Sequence, residues 1–285
     1  MDSSITIVTA FFDIGRGSWT SDKGFSPYLE RASDTYLEYF KNLAALDNEM
    51  VIFTSSDLKS RVEEIRKGKR TTVIAFEFKH KFKHIRNKID KIQKSDDFRN
   101  RLEKRQLQNP EYWSADYVLV CNLKSYFVKK AIDAQLVSNE MVAWVDFGYC
   151  RTPSVTAGLS QWNYPFNKNK VNMFTIKRGL RATTLDRVFD CMINNRSFII
   201  GGAVVATKEK WSDFYKLVLK CQWFTLKNNV VDDDQGIFIM SKYYCPDLIK
   251  LNYMGKNRWF NLFRLFGKND LKSFLLRVKV TLFRK

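Results

Sequence analysis

The chain has 285 residues, of which 45% are hydrophobic and 15% aromatic, and a formal net charge of +18. That is enough apolar material for one large α/β domain or two modest ones; the basic excess points to nucleic acid, a phosphate-rich small molecule or a membrane surface. Five scattered cysteines, at 121, 150, 191, 221 and 245, form no CxxC or Cys/His cluster, which argues against zinc and a disulfide framework and fits a reducing cytosol.

The first residues, MDSSITIVTAFFD, lack a basic region, and their apolar run is too short for a signal peptide. No stretch approaches the roughly 20 apolar residues of a membrane span. ITIVTAFF (5–12) is β-branched and aromatic and reads as a buried first strand, broken by the glycine-rich DIGRGSW. SPYLERASDTYLEYFKNLAAL (26–46) spaces Leu29, Tyr36, Leu37 and Phe40 as a helix does. EMVIFTS (49–55) reads as a second strand, a helix follows near 57–67, and TTVIAFEF (71–78) reads as a third strand. This alternation predicts an α/β fold with a mostly parallel sheet.

Residues 79–109 read as a basic, polar helical segment with a thin apolar seam. His80 and His84 are four apart and could share a face, a pair too small to bind a metal alone. EYWSADYVLVCNLKSYFVKKAIDAQ (111–135) reads as helix and MVAWVDFG as the next strand. SFIIGGAVVATKEKWSDFYKLVLKCQW (197–223) reads as a strand, a double glycine, another strand and a helix. NVVDDDQGIFIMSKYY (229–244) puts an acidic turn at a helix start, where carboxylates meet the positive end of the dipole. No repeat or Pro-rich linker is present, and the expected division is a domain over 1–255 and a tail over 256–285. The tail carries nine Lys/Arg against one acid, Asp270, interleaved with aromatic residues, with Gly267 and Asn269 expected to break it into two short helices. That pattern suits a peripheral anchor on an anionic membrane surface.

In open α/β sheets ligands collect beyond the carboxyl ends of strands. Asp146, at the end of VAWVD, is placed to meet a substrate or a metal there. Its company, in chain order, is a first-strand end with small and hydroxyl residues, the pair Gly201-Gly202, and the cluster Asp232-Asp233-Asp234-Gln235. Read alone, DDDQ also suits a helix N-cap.

This order resembles the GT-A glycosyltransferases. WVDFG stands where their acidic DxD motif is expected, FIIGGAVVATKEKW resembles their acceptor-side segment, and DDDQG their downstream acid–glutamine motif. NYMGKNRW (252–259) is weakly similar to the HxxGxxKPW ending of some retaining enzymes, with Asn252 in place of the histidine. The whole chain, from ITIVTAFFDIGRGSW through WVDFG to DDDQG, resembles the HtrL/YibB family, bacterial proteins taken to be glycosyltransferases of surface polysaccharide.

The resemblance implies a GT-A-like, Rossmann-related fold and transfer of a sugar from a nucleotide sugar, UDP-linked, to a glycan or lipid-linked acceptor such as lipopolysaccharide or O-antigen. It implies donor binding by Thr9, Ala10, Phe11, Arg16, Asp146, Gly148, Gly201 and Gly202, and catalytic roles for Asp233, Asp234 and Gln235. An inverting enzyme would draw a base from Asp232–Asp234; a retaining one would put Asp234 and Gln235 near the anomeric face. A divalent cation, Mn²⁺ or Mg²⁺, would rest on Asp146, although Gly148 replaces the second carboxylate of DxD. Without it, Arg16, Arg178 or Arg181 would neutralise the departing diphosphate. The expected location is cytoplasmic, at the inner face of the membrane, with no nucleic-acid partner. The alternative is a non-catalytic basic protein that binds nucleic acid or a membrane surface, although no HTH, RRM or KH signature is present.

Overall fold

Seven strands, β1 (Ile5–Phe11), β2 (Met50–Thr54), β3 (Thr71–Ala75), β4 (Met141–Val145), β5 (Val171–Thr175), β6 (Ile199–Thr207) and β7 (Ile249–Tyr253), form a single sheet in a computed structural model that describes residues 4–282. Their order is β3-β2-β1-β4-β6-β5-β7. All neighbours pair in parallel except β6, which runs antiparallel to both β4 and β5. This is the mostly parallel, helix-flanked sheet that the alternation predicts.

The helices are α1 (Ser33–Ala44), α2 (Ser56–Ile65), α3 (Phe78–Lys81), α4 (Lys83–Lys94), α5 (Asp96–Asn100), α6 (Ala115–Asn122), α7 (Lys124–Asp133), α8 (Leu185–Ile193), α9 (Lys208–Lys227), α10 (Asp234–Tyr244), α11 (Leu262–Phe266) and α12 (Leu271–Leu282). They cover both faces, so the central strands are buried on both sides and read as continuous apolar runs. The two-residue period sorts them: Val51, Phe53, Val142 and Trp144 face one core with Phe127 and Trp211, while Met50, Ile52, Ala143 and Val145 face the other with Phe40 and Trp162.

Several sequence expectations change. The 111–135 segment is two helices, with Leu123 between them. The double glycine does not divide two strands: both glycines lie within β6, just before Ala203, which pairs with Val145 at the end of β4, and the Gly202 carbonyl accepts the Asp146 amide at 2.9 Å. His80 and His84 fall on different helices, α3 and α4. The tail is not uniform either. Leu262, Phe263, Leu265 and Phe266 are core residues, and Trp162 donates its indole N–H to the Phe266 carbonyl at 2.7 Å. Composition marks 256–285 as distinct because it averages a buried apolar turn with an exposed basic helix.

α12 is that exposed helix. Its 12 residues contain no buried side chain; Leu276 and Val280 pack partly against the domain, while Leu271, Phe274, Leu275 and Leu282 face outward. Residues 283–285, which include two of the tail's basic groups, lie outside the described residues. Among the described residues, no helix is long and apolar enough to cross a membrane.

Candidate active site

The carboxyl ends of β1 and β4 open into a cavity of about 680 Å³. Because β6 is antiparallel, its first residues reach the same edge, and the N-termini of α7 and α10 close the far wall. Beyond β1, Asp13 Oδ1 accepts the Gly15 amide at 2.7 Å and Asp13 Oδ2 accepts the Ser33 hydroxyl at 2.6 Å. Gly15 has φ +83, a left-handed conformation that favours glycine, and the turn brings Arg16 back over the cavity. Beyond β4, Phe147 stacks between Phe11 and Phe40, with centroids at 5.1 and 4.0 Å, fixing the turn that carries Asp146. Gly148 is needed there, since a Cβ would lie 2.8 Å from the Tyr36 ring.

The floor is acidic and centred on a buried lysine. The Lys124 ammonium lies 2.8 Å from Asp146 Oδ1 and 2.6 Å from Asp234 Oδ2, and donates to the Gly201 carbonyl at 2.9 Å. Its three N–H groups thus have three oxygen neighbours. Lys124 is the first residue of α7, where the helix dipole disfavours a cation, so the carboxylates must hold it. Burial alone would push the ammonium toward neutrality; Asp146 and Asp234 outweigh it and keep its pKa well above that of an ordinary lysine.

Asp233 caps α10, accepting the Gln235 amide on Oδ1 at 2.9 Å, so the cap reading of DDDQ holds together with a place in the cavity. Burial first, then the nearby Glu111 charge, pushes the Asp233 carboxyl up to about 7. Burial likewise raises Asp234 to about 7, with Lys124 opposing and Asp233 and Asp146 reinforcing the rise. Glu111, 5% exposed and accepting from Asn195 Nδ2 at 2.6 Å, is raised to about 7 by burial. The Gln235 side-chain oxygen is buried without a partner, an acceptor on the cavity wall awaiting a donor.

The opposite wall is cationic. Arg16 donates to the Leu29 carbonyl at 3.2 and 3.0 Å and to the Tyr36 hydroxyl at 2.6 Å, and lies 5.2 Å from the Trp19 ring centre. Arg31 and Arg151 also line the cavity, and Arg151 sits over Phe260 at 4.7 Å. Among the described residues none of the three has a carboxylate partner. Partial burial, then the like charge of Arg31 and, more weakly, of Arg16, lowers the Arg151 pKa. Three guanidinium groups without a carboxylate partner make this wall electropositive.

Of the residues expected at a donor and catalytic site, Ala10, Phe11, Arg16, Asp146, Gly148, Gly201, Gly202, Asp233, Asp234 and Gln235 all line this cavity. Thr9 does not: it is fully buried two residues short of the strand end. Asp232 turns instead toward a separate cavity of about 70 Å³. Asn252 lies on β7 and donates to the Met173 carbonyl, away from Asp146. Arg178 and Arg181 also lie off the cavity; Arg178 binds the Val280 and Thr281 carbonyls of α12, and the arginines that line the cavity are Arg16, Arg31 and Arg151. Gly201 and Gly202 make room for protein as well: a Cβ on Gly201 would overlap the Asp234 carboxylate, and one on Gly202 would lie 2.9 Å from the Tyr149 ring.

Asp146, the residue expected to carry a divalent cation, is in contact with a cation of the protein itself. Asp146 Oδ1 already accepts Lys124 and the Trp144 indole N–H, the latter at 2.7 Å. The lysine fills the space between the two carboxylates, and among the described residues no three His, Cys, Asp or Glu side chains are grouped to hold a metal. The residues present do not fit a divalent ion held between Asp146 and Asp234.

The chain is 58% identical over 285 residues, all of both chains, to Protein HtrL of Escherichia coli (strain K12). Among solved structures it is similar to mouse xyloside xylosyltransferase 1 in its apo form, with 10% identity, 94% of each chain covered and a TM-score of 0.40. Residues 3–268 match the family described as "Bacterial protein of unknown function (HtrL_YibB)". With near-complete coverage and a full-length relative at that identity, the chain belongs to the HtrL_YibB family.

Proposed function

We propose that the protein is a glycosyltransferase that takes a sugar from a nucleoside diphosphate donor, UDP-linked in the first instance, and passes it to a glycan or lipid-linked acceptor such as lipopolysaccharide or O-antigen. The observation that carries this reading is the polarity of one cavity: three unpaired arginines on one wall face Asp233, Asp234 and the unpartnered Gln235 oxygen on the other. A volume of about 680 Å³ suits a small-molecule ligand of that size.

In the proposed reaction the acceptor oxygen bonds to the anomeric carbon as the bond from that carbon to the phosphate oxygen breaks. The electron pair leaves on the diphosphate, where Arg16, Arg31 and Arg151 stabilise the growing charge. Asp233, with a pKa near 7 and no ion pair among the described residues, takes the hydroxyl proton. That role favours inversion, and the anomeric configuration of the product, read by NMR, checks it. Gln235, whose side-chain oxygen has no partner among the described residues, would accept a sugar hydroxyl in this reading.

The acceptor side rests on α12. Its outward Leu271, Phe274, Leu275 and Leu282 recur at helical spacing, and Lys268, Lys272 and Lys279 are exposed around them. An interfacial helix on an anionic leaflet has this make-up. The enzyme would sit at the inner face of the cytoplasmic membrane, with a cytosolic donor and an acceptor at the lipid surface.

The test is release of free nucleoside diphosphate from a panel of nucleotide sugars, with and without a lipopolysaccharide acceptor. Turnover of at least one donor is expected. Absence of both turnover and nucleotide binding across the panel overturns the reading.

A further inference from the structure

We infer that Lys124 is the fixed cation of this site, standing where a divalent ion would bridge Asp146 and Asp234, so that a nucleoside diphosphate binds without a divalent cation. The inference rests on the donor-site reading above and adds to it the identity of the positive charge on the acidic floor. Its ground is geometric. The ammonium is within 3 Å of one oxygen from each carboxylate, at 2.8 and 2.6 Å. A metal ion bound to those two oxygens would need contacts of about 2.0–2.2 Å and would fall on the space that Nζ holds.

Nor is the lysine free to swing away. Its side chain is 9% exposed, its third N–H is taken by the Gly201 carbonyl, and it approaches the Trp144 ring at 6.0 Å. Leaving would strand two carboxylates beside each other at low dielectric, at the end of β4 and the start of α10. The surroundings are built to fit it. Gly201 has no side chain, which admits the Asp234 carboxylate, and the Trp144 N–H on Asp146 Oδ1 fixes the rotamer that meets the ammonium. The remaining positive charge that a diphosphate needs is already present on Arg16, Arg31 and Arg151.

A further consequence distinguishes this arrangement from a lysine that merely packs. Two carboxylates held about one cation apart become a metal site once that cation is removed. Lys124→Ala should acquire what the parent protein lacks.

The experiment uses the full chain and two probes, UDP and Mn²⁺. UDP binding is measured by calorimetry in EDTA and again in Mn²⁺, and Mn²⁺ binding by loss of its free EPR signal. The parent protein should bind UDP with a Kd that changes less than twofold between the two conditions, and should leave the Mn²⁺ signal intact. Lys124→Ala should bind UDP at least tenfold more weakly in EDTA, bind Mn²⁺, and recover UDP affinity when Mn²⁺ is added. Lys124→Arg, which keeps the charge, should remain metal-indifferent. Parent protein that binds UDP only with Mn²⁺, or that depletes the Mn²⁺ signal by itself, overturns the inference. If no nucleotide binds under any condition, the donor-site reading fails, and the Mn²⁺ signal of the parent protein still decides the role of Lys124. That last arm needs no variant to fold.

Discussion

The Asp234 carboxylate occupies the space that a side chain on Gly201 would fill. The two residues are 33 apart in sequence, one on a strand and one at a helix start, and each is explained by the other. Gly201→Ala should therefore behave unlike most glycine-to-alanine changes in strands, which add β-structure propensity at little cost. Displacing Asp234 breaks a buried pair, and loss of about 3–5 kcal/mol of stability is expected. Chemical denaturation measures it; a stability equal to that of the parent protein would mean that Asp234 can rotate away without cost.

Asp146→Asn keeps the shape of the strand-end side chain and its place between Trp144 and Lys124 but removes its charge. Lys124 retains Asp234 and the Gly201 carbonyl, so the fold should persist with a small fall in melting temperature. Sugar transfer should fall by at least about 100-fold, the loss typical of removing one preorganised electrostatic group. Near-normal turnover would take Asp146 out of the site.

Arg151 is partly exposed and without a carboxylate partner, beside two like charges. Its replacement by methionine should leave stability unchanged or slightly raised, because repulsion is relieved. UDP affinity should fall about tenfold, equivalent to about 1.4 kcal/mol for one charged contact. Unchanged affinity would place the diphosphate elsewhere.

Glu111, Asp233 and Asp234 titrate near 7 in the folded chain, above the ordinary 4.5 of glutamate and 3.8 of aspartate. Between those limits the folded state keeps protons that the unfolded chain has lost. Stability is therefore highest below the window and falls as pH rises through it. Each group adds a slope of at most about 1.4 kcal/mol per pH unit. Glu111→Gln should remove one such slope in denaturation curves taken from pH 4 to 8. For transfer, Asp233 as base predicts a rate that rises with pH through about 7, an acidic limb that Asp233→Asn should abolish.

The proposed membrane contact of α12 can be tested without deleting the helix. Removing residues 256–285, the cut suggested by composition, would take Leu262, Phe263, Leu265 and Phe266 out of the core. The double change Phe274→Ser and Leu275→Ser touches only outward positions, 53% and 56% exposed. It should abolish binding to vesicles containing anionic lipid, measured by flotation, while donor hydrolysis stays intact. Parent-like flotation of that variant would place the lipid contact elsewhere.

Asp146, Gly201-Gly202 and DDDQ were legible in the sequence because each interrupts a strong pattern: an acid ends an apolar strand, or acids crowd a helix start. Lys124 was not legible. It is one of 48 basic residues and lies inside what reads as one continuous helix, so nothing local separates it from a solvated lysine. Arg31, Arg151 and Glu111 share that anonymity, since their significance is set by tertiary neighbours. β5 and β7 interrupt their few apolar residues with Asn172, Lys250 and Asn252 and so do not stand out as apolar runs, and α8 is not anticipated either. The glycine pair suggested a break because glycine weakens strands. Here cross-strand pairing and the room required by Asp234 outweigh that tendency.

The reversal of β6 turns α9 into a ruler. The strand leaves the cavity edge at Ile199 and reaches the far end of the sheet at Thr207, and the chain must come back before it can deliver Asp233 and Asp234. Nine strand residues and twenty helical ones both measure about 30 Å, at about 3.3 and 1.5 Å per residue. The return journey matches the outward one. One helical turn inserted into α9 would overshoot by about 5.4 Å, more than the length of any hydrogen bond or ion pair that Lys124 makes, so the length of a helix remote from the chemistry sets the registration of the two carboxylates that the chemistry needs.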